Sequence, residues 1–104
     1  METTVNDVIG WLEPAINAGV HITLSKDKKG YWIDLNTNAK SQCLININNG
    51  EVTAHMRYGK SVEINGFYDI LMTCHGCAHG RPYFNESWIE VFTQYGMSDP
   101  RGNI

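Results

Sequence analysis

The chain has 104 residues, of which 42% are hydrophobic and 18% charged, with a net charge of −3 and a pI near 5.7. This composition is globular rather than disordered, and its acidic balance argues against a generic binder of nucleic-acid phosphates. No apolar run approaches the roughly 20 residues that a membrane span requires.

Length and composition point to one domain over residues 1–104, large enough to bury a core without metal or disulfide support. The opening "METTVNDVIGW" lacks the basic-then-apolar order of a secretory signal. The three cysteines are an odd count, which fits reduced thiols better than a disulfide framework. The expected location is therefore the cytoplasm.

Residues 4–18 read as a helix, because Val5, Val8, Ile9, Leu12 and Ile16 recur at helical spacing. Thr3, Thr4 or Asn6 can cap its start and Gly19 can end it. Pro14 predicts a kink or break near Glu13. The hydrophobic period then changes to two, and "VHITLS", "GYWIDL", "QCLINI", "EVTAHMR" and "SVEI" read as successive strands.

Asn49-Gly50 is a strong hairpin signal. As a two-residue turn it sets Ile47 opposite Val52, Ile45 opposite Ala54 and Cys43 opposite Met56, all on one apolar face. A loop at Tyr58-Gly59-Lys60 then sets Met56 opposite Val62. A loop centred on residues 26–29 sets Leu24 opposite Tyr31 and Ile22 opposite Ile33. The core face of the meander becomes Ile22, Leu24, Tyr31, Ile33, Leu35, Cys43, Ile45, Ile47, Val52, Ala54, Met56, Val62 and Ile64.

Two helices follow. Asn65-Gly66 opens the first, whose stripe is Phe67, Ile70, Leu71, Cys74 and Ala78, and Gly80 and Pro82 close it. Asn85 caps the second, which carries Trp88, Ile89 and Phe92 and ends at Gly96. The tail "SDPRGNI" reads as loose. The expected fold is α+β: a two-layer sandwich in which an antiparallel four- to five-stranded meander carries an N-terminal helix and two C-terminal helices on one face.

"TCHGCAHG", residues 73–80, has the C-x2-C spacing of half a zinc site, with His75 and His79 as further ligands. On a continuous helix, however, Cys74 and Cys77 face the apolar stripe. His75 and His79 share another face with Tyr68 and Met72, roughly 100° away. Cys74, Cys77, His75 and His79 can close one metal shell only if the helix breaks at Gly76. The expectation is buried cysteines and no cofactor.

The outer sheet face carries the more informative pattern. In the register above, one row across it reads His21, Asp34, Leu44, His55, and the next reads Thr23, Trp32, Asn46, Thr53. A tryptophan and a leucine opposite the core are either covered by a loop or the C-terminal tail, or they form an aromatic-centred binding surface. The candidate partner-binding set is Trp32, Leu44, His55, Arg57, His21 and Asp34.

His21 beside Asp34 resembles half of a general-base arrangement. Its only hydroxyl neighbours are Thr23 and Thr53, so catalysis is not favoured. "KDKK" at 26–29 and "RYGK" at 57–60 are basic turns that with Trp32 could meet nucleic acid, although two solvated turns explain them as well. The scattered glycines form no phosphate loop.

The segment "INGFYDILMTCHGCAHGRPYFNESWIEVFTQYG" resembles small uncharacterised accessory proteins encoded by bacteriophages and prophages, most closely over "HGCAHGRPYFNESW". The likeness covers about a third of the chain and carries no catalytic motif or site residue. It implies a small protein of host takeover that binds and inhibits a host enzyme or defence complex. The expectation is thus a non-enzymatic domain with a host protein as partner. Alternatives are a zinc-supported nucleic-acid-binding module and a small enzyme using His21 and Asp34.

Overall fold

The computed structural model describes residues 2–35, 43–56 and 61–102. In chain order, α1 (Val5–Trp11) and α2 (Glu13–Asn17) precede β1 (Thr23–Asp27), β2 (Gly30–Asp34), β3 (Cys43–Asn48), β4 (Glu51–Met56) and β5 (Val62–Glu63). Two longer helices, α3 (Phe67–Ala78) and α4 (Glu86–Gln94), complete the fold. The strands form one antiparallel sheet in the order β1-β2-β3-β4-β5, and the architecture is α+β as the periodicity predicts.

The N-terminal helix begins with a capping box. The Thr4 hydroxyl accepts the Asp7 amide at 3.2 Å, and the Asp7 carboxylate accepts the Thr4 amide at 2.9 Å. The predicted break is real: Leu12 ends α1 and starts α2, and Pro14 sits in the first turn of α2, where an amide would have no helical partner anyway.

The β3–β4 hairpin has the expected register, with Cys43 opposite Met56, Ile45 opposite Ala54 and Ile47 opposite Val52. Asn49 and Gly50 both adopt positive φ, at 53° and 79°, as a type I′ turn requires.

Two outer registers differ from expectation by two residues. Leu24 pairs with Ile33 and Lys26 with Tyr31, because the turn is Lys28-Lys29 and Asp27 closes on Gly30. Gly30 is at φ 105°, and a Cβ there would strike the Ile47 carbonyl, so only glycine lets β2 enter the sheet beside β3. On the other side Val62 pairs with Ala54, not Met56. A two-residue slip preserves which face each side chain takes, so the division into core and outer faces stands.

The core runs between the inner sheet face and the helices. Ile33, Leu35, Cys43, Ile45, Ile47, Val52, Ala54 and Ile64 meet Val8, Leu12, Ile70, Leu71, Cys74, Trp88 and Phe92, and no outer-face residue belongs to this cluster. The inner face is covered unevenly. Leu24, Tyr31 and Val62 lie on it yet stay exposed, because they sit on or next to the edge strands. The C-terminal segment is not loose through Gly102. Pro100 is buried, its carbonyl accepts the Gly80 amide at 2.8 Å, and Arg101 bridges Asp99 and Glu86. Among the described residues no helix is long and apolar enough to cross a membrane.

Trp88 joins the two layers. It is fully buried, and its indole N–H donates to the Leu35 carbonyl at 2.7 Å. Trp88→Phe should lower unfolding stability by about 2 kcal/mol, because it strands a buried carbonyl and leaves a small void. Urea denaturation should show the loss with an unchanged m-value; an unchanged midpoint would remove this contact from the list of those that hold the layers together.

Candidate functional site

Strand alternation places Thr23, Ser25 and Asp27 of β1, Trp32 and Asp34 of β2, Leu44, Asn46 and Asn48 of β3, Glu51, Thr53 and His55 of β4 and Glu63 of β5 on the outer face. The rows across it are Thr23–Asp34–Leu44–His55 and Ser25–Trp32–Asn46–Thr53–Glu63. Trp32, Leu44, His55 and Asp34 are therefore brought together as expected, and all four are half-buried.

His21 is not among them. It precedes β1, is exposed, and the place beside Asp34 belongs to Thr23. The register shift that moves Leu24 opposite Ile33 carries His21 out of the row, so the His21–Asp34 general-base pair does not form across the strands. Arg57, the "RYGK" turn and the Met56 side chain lie outside the described residues.

The Trp32 ring is held on both sides. Its indole N–H donates to Asp27 Oδ1 at 2.8 Å, and its ring meets the His55 imidazole edge-on with centroids 5.1 Å apart. His55 is itself held by Thr53 Oγ1 at 2.9 Å and by Ser61 Oγ at 3.3 Å. The Asp27 carboxyl is pushed below the usual range, first by the Trp32 N–H and then by the Lys29 backbone amide. Asn46 is buried and satisfied, since its amide donates to the Lys29 and Tyr31 carbonyls at 3.0 and 3.2 Å. That contact ties the centre of the sheet to the β1–β2 turn.

Asp27 is the residue that sequence reading missed. The Lys28-Lys29 turn places it one strand across from Trp32 on the same face, and that turn carries no strong signature in the sequence. The charge of the face was missed too. Asp27, Asp34, Glu51 and Glu63 lie on it, and none of its described strand residues is Lys or Arg. Lys26 points to the other face, with its ammonium 4.9 Å from the Tyr31 ring centroid. At the β4–β5 end, Glu51, Val52, Thr53 and Glu63 line a shallow concavity of about 190 Å³. The C-terminal segment, one expected cover for this face, docks instead against α3 and α4.

The Cys/His stretch resolves by helical phase. α3 runs unbroken through Gly76. Cys74 and Cys77 are buried, whereas His79 is exposed beyond the helix end. His75 donates from Nε2 to the Ser98 carbonyl at 3.0 Å and packs edge-on against Phe92, which anchors the C-terminal segment. The pairs Cys74/Cys77 and His75/His79 are not brought to one point. Among the described residues no group of three or more His, Cys, Asp or Glu side chains is placed to hold a metal ion.

What does converge is sulfur: Cys43 Sγ lies 3.9 Å from Cys74 Sγ, across the β3–α3 interface. The hydrogen bond with Cys74 raises the Cys43 thiol first, with burial adding to it. Burial is the main cause for Cys74, and the Cys43 bond followed by burial for Cys77. All three stay protonated near neutrality.

The purified chain should hold well under one zinc per molecule and keep its circular dichroism in excess chelator; one zinc per chain with unfolding on chelation would overturn the phase argument. The thiols set a pH dependence of known sign. Their folded pKa values lie above the unfolded value of about 8.5, so the folded state keeps protons that the unfolded chain releases. Their contribution is intact below that pH and falls as pH rises through it, by about 1.4 kcal/mol per pH unit for each thiol. Urea midpoints at pH 7, 8.5 and 10 should therefore decline, and native-state labelling of all three cysteines should be slow.

Comparison with protein-family models, with curated proteins and with solved structures finds no match to this chain.

Proposed function

We propose that this chain works by binding rather than by catalysis, and that it engages a basic surface of a partner protein through the outer face of its sheet. In the light of the phage resemblance, the partner is a host protein that it inhibits or modulates. The observation that carries this reading is Trp32, a half-buried indole on the sheet face outside the core, fixed by Asp27 and His55 before any partner arrives.

Tryptophan contributes strongly at interface centres, and a side chain already held in place loses little entropy on binding. Leu44 extends the apolar centre next to it. The carboxylates of Asp27, Asp34, Glu51 and Glu63 set the sign of the partner. A face of that charge repels nucleic-acid phosphates and suits lysine or arginine, and the concavity between Glu51 and Glu63 is of a size to take one such side chain. The zinc-supported alternative loses its support with the unbroken α3, and the enzymatic one with the displacement of His21.

Affinity capture from a bacterial lysate supplies the partner for the test. Trp32→Ala should weaken the measured affinity about 30-fold or more and leave the melting temperature nearly unchanged. Leu44→Ala and His55→Ala should show smaller losses, and Glu51→Lys combined with Glu63→Lys should lower the association rate and its salt dependence. A sharp fall in melting temperature for Trp32→Ala with no separable loss of binding would make Trp32 a folding residue and move the interface elsewhere.

A further inference from the structure

Among the described residues no further strand pairs beyond β1 or beyond β5, and these two edge strands differ. β5 is only two residues long, so its outer side offers little backbone to a partner strand. β1 spans five residues, Thr23–Asp27, every one of them exposed, without proline and with an unbroken one-to-one register against β2.

The direction of its free backbone groups follows from the ladder. The Leu35 amide donates to the Cys43 carbonyl, so residues 31, 33 and 35 of this segment turn their amides and carbonyls toward β3. Trp32 and Asp34 then turn theirs toward β1, where they meet Ser25 and Thr23. Leu24 and Lys26 are left with amides and carbonyls aimed out of the sheet edge.

We infer that β1 is a self-association edge: two copies pair their β1 strands antiparallel about a two-fold axis through Ser25, making one ten-stranded sheet. The sequence of β1 is complementary to itself in this register. Leu24 of one copy falls opposite Lys26 of the other, and these are the residues with outward backbone groups, so each such pair exchanges two hydrogen bonds. Asp27 falls opposite Thr23, and no like charges face each other. Shifting the centre to Lys26 would set the two lysines in direct opposition.

The side chains favour the same occupant. On the helix side of the sheet Leu24 is 48% and Tyr31 37% exposed, unusual for apolar residues on a core-facing side. Lys26 stands two residues from Leu24 on β1 and opposite Tyr31 of β2, with its ammonium drawn back over the Tyr31 ring of its own copy. Pairing lays Leu24 of the second copy along the Lys26 stem and covers part of this apolar strip. On the opposite face the two Trp32 patches come to lie three strands apart, roughly 14 Å, on one continuous surface.

The test uses the full-length chain. Sedimentation velocity should show a concentration-dependent monomer–dimer equilibrium. Leu24→Pro removes an amide that β2 does not use, so it should keep the melting transition and raise the dimer dissociation constant about tenfold or more. Ser25→Cys sits at the two-fold in a non-hydrogen-bonded pair and should form an intermolecular disulfide under mild oxidation. Thr23→Cys, opposite Asp27 of the second copy, should not. A chain that stays monomeric at every soluble concentration overturns the proposal. So does a dimer in which Ser25→Cys fails to cross-link, or cross-links no better than Thr23→Cys. Trp32→Ala should leave the dimer intact, which separates this edge from the partner-binding face.

Discussion

The rest of the structure depends on the parity set by the Asn49-Gly50 turn. Both residues sit at positive φ, a conformation that Asn and Gly tolerate and β-branched residues do not. The turn closes β3 on β4 with Cys43, Ile45, Ile47, Val52 and Ala54 all on one side, and each of them is buried. Any register one residue away would bury Leu44, Asn46, Thr53 and His55 instead, which the core could not absorb. With the central hairpin fixed, the inner face becomes the floor on which α3 and α4 pack. Cys74 reaches Cys43 across that floor, and Trp88 reaches the Leu35 carbonyl.

The outer face follows from the same parity. It holds the residues that the core rejects, yet two of them, Trp32 and Leu44, are apolar. Trp32 is not simply left over. Asp27, at the end of β1, accepts its N–H, and His55, two strands away, stands against its ring. Asn46 bonds to the carbonyls of Lys29 and Tyr31, which stiffens the turn that presents Asp27. A polar network spanning four strands thus holds an aromatic group on a surface of negative charge.

Several features were legible in the residues and several were not, for reasons that differ. Strand faces were legible because alternation is a local property that survives a slip of two positions. Pairing partners in the outer hairpins were not, because Lys28-Lys29 carries no strong turn signature and the closing glycine, Gly30, acts through a neighbour in β3 that sequence proximity does not reveal. His21 was lost from the site for that reason alone. The burial of Cys74 and Cys77 was legible from helical phase, since α3 has no break at Gly76. The docking of the C-terminal segment was not, because it depends on His75, Gly80 and Glu86 meeting residues 98–101 in space.

The sequence by itself determined the class of fold, the division of the sheet into two faces, the break at Pro14, and the placing of Trp32 on the outer side and of the three cysteines on the inner side. Each of these rests on dihedral preference or on a periodicity of two or 3.6 residues, and such constraints act over a few residues. Only the tertiary structure decided which carboxylate holds Trp32, that β1 is the longer edge strand, that Cys43 meets Cys74, and that the outer-face strand residues described carry carboxylates and neither Lys nor Arg. These depend on distances between segments far apart in the chain, where a shift of two residues costs nothing locally and changes every partner.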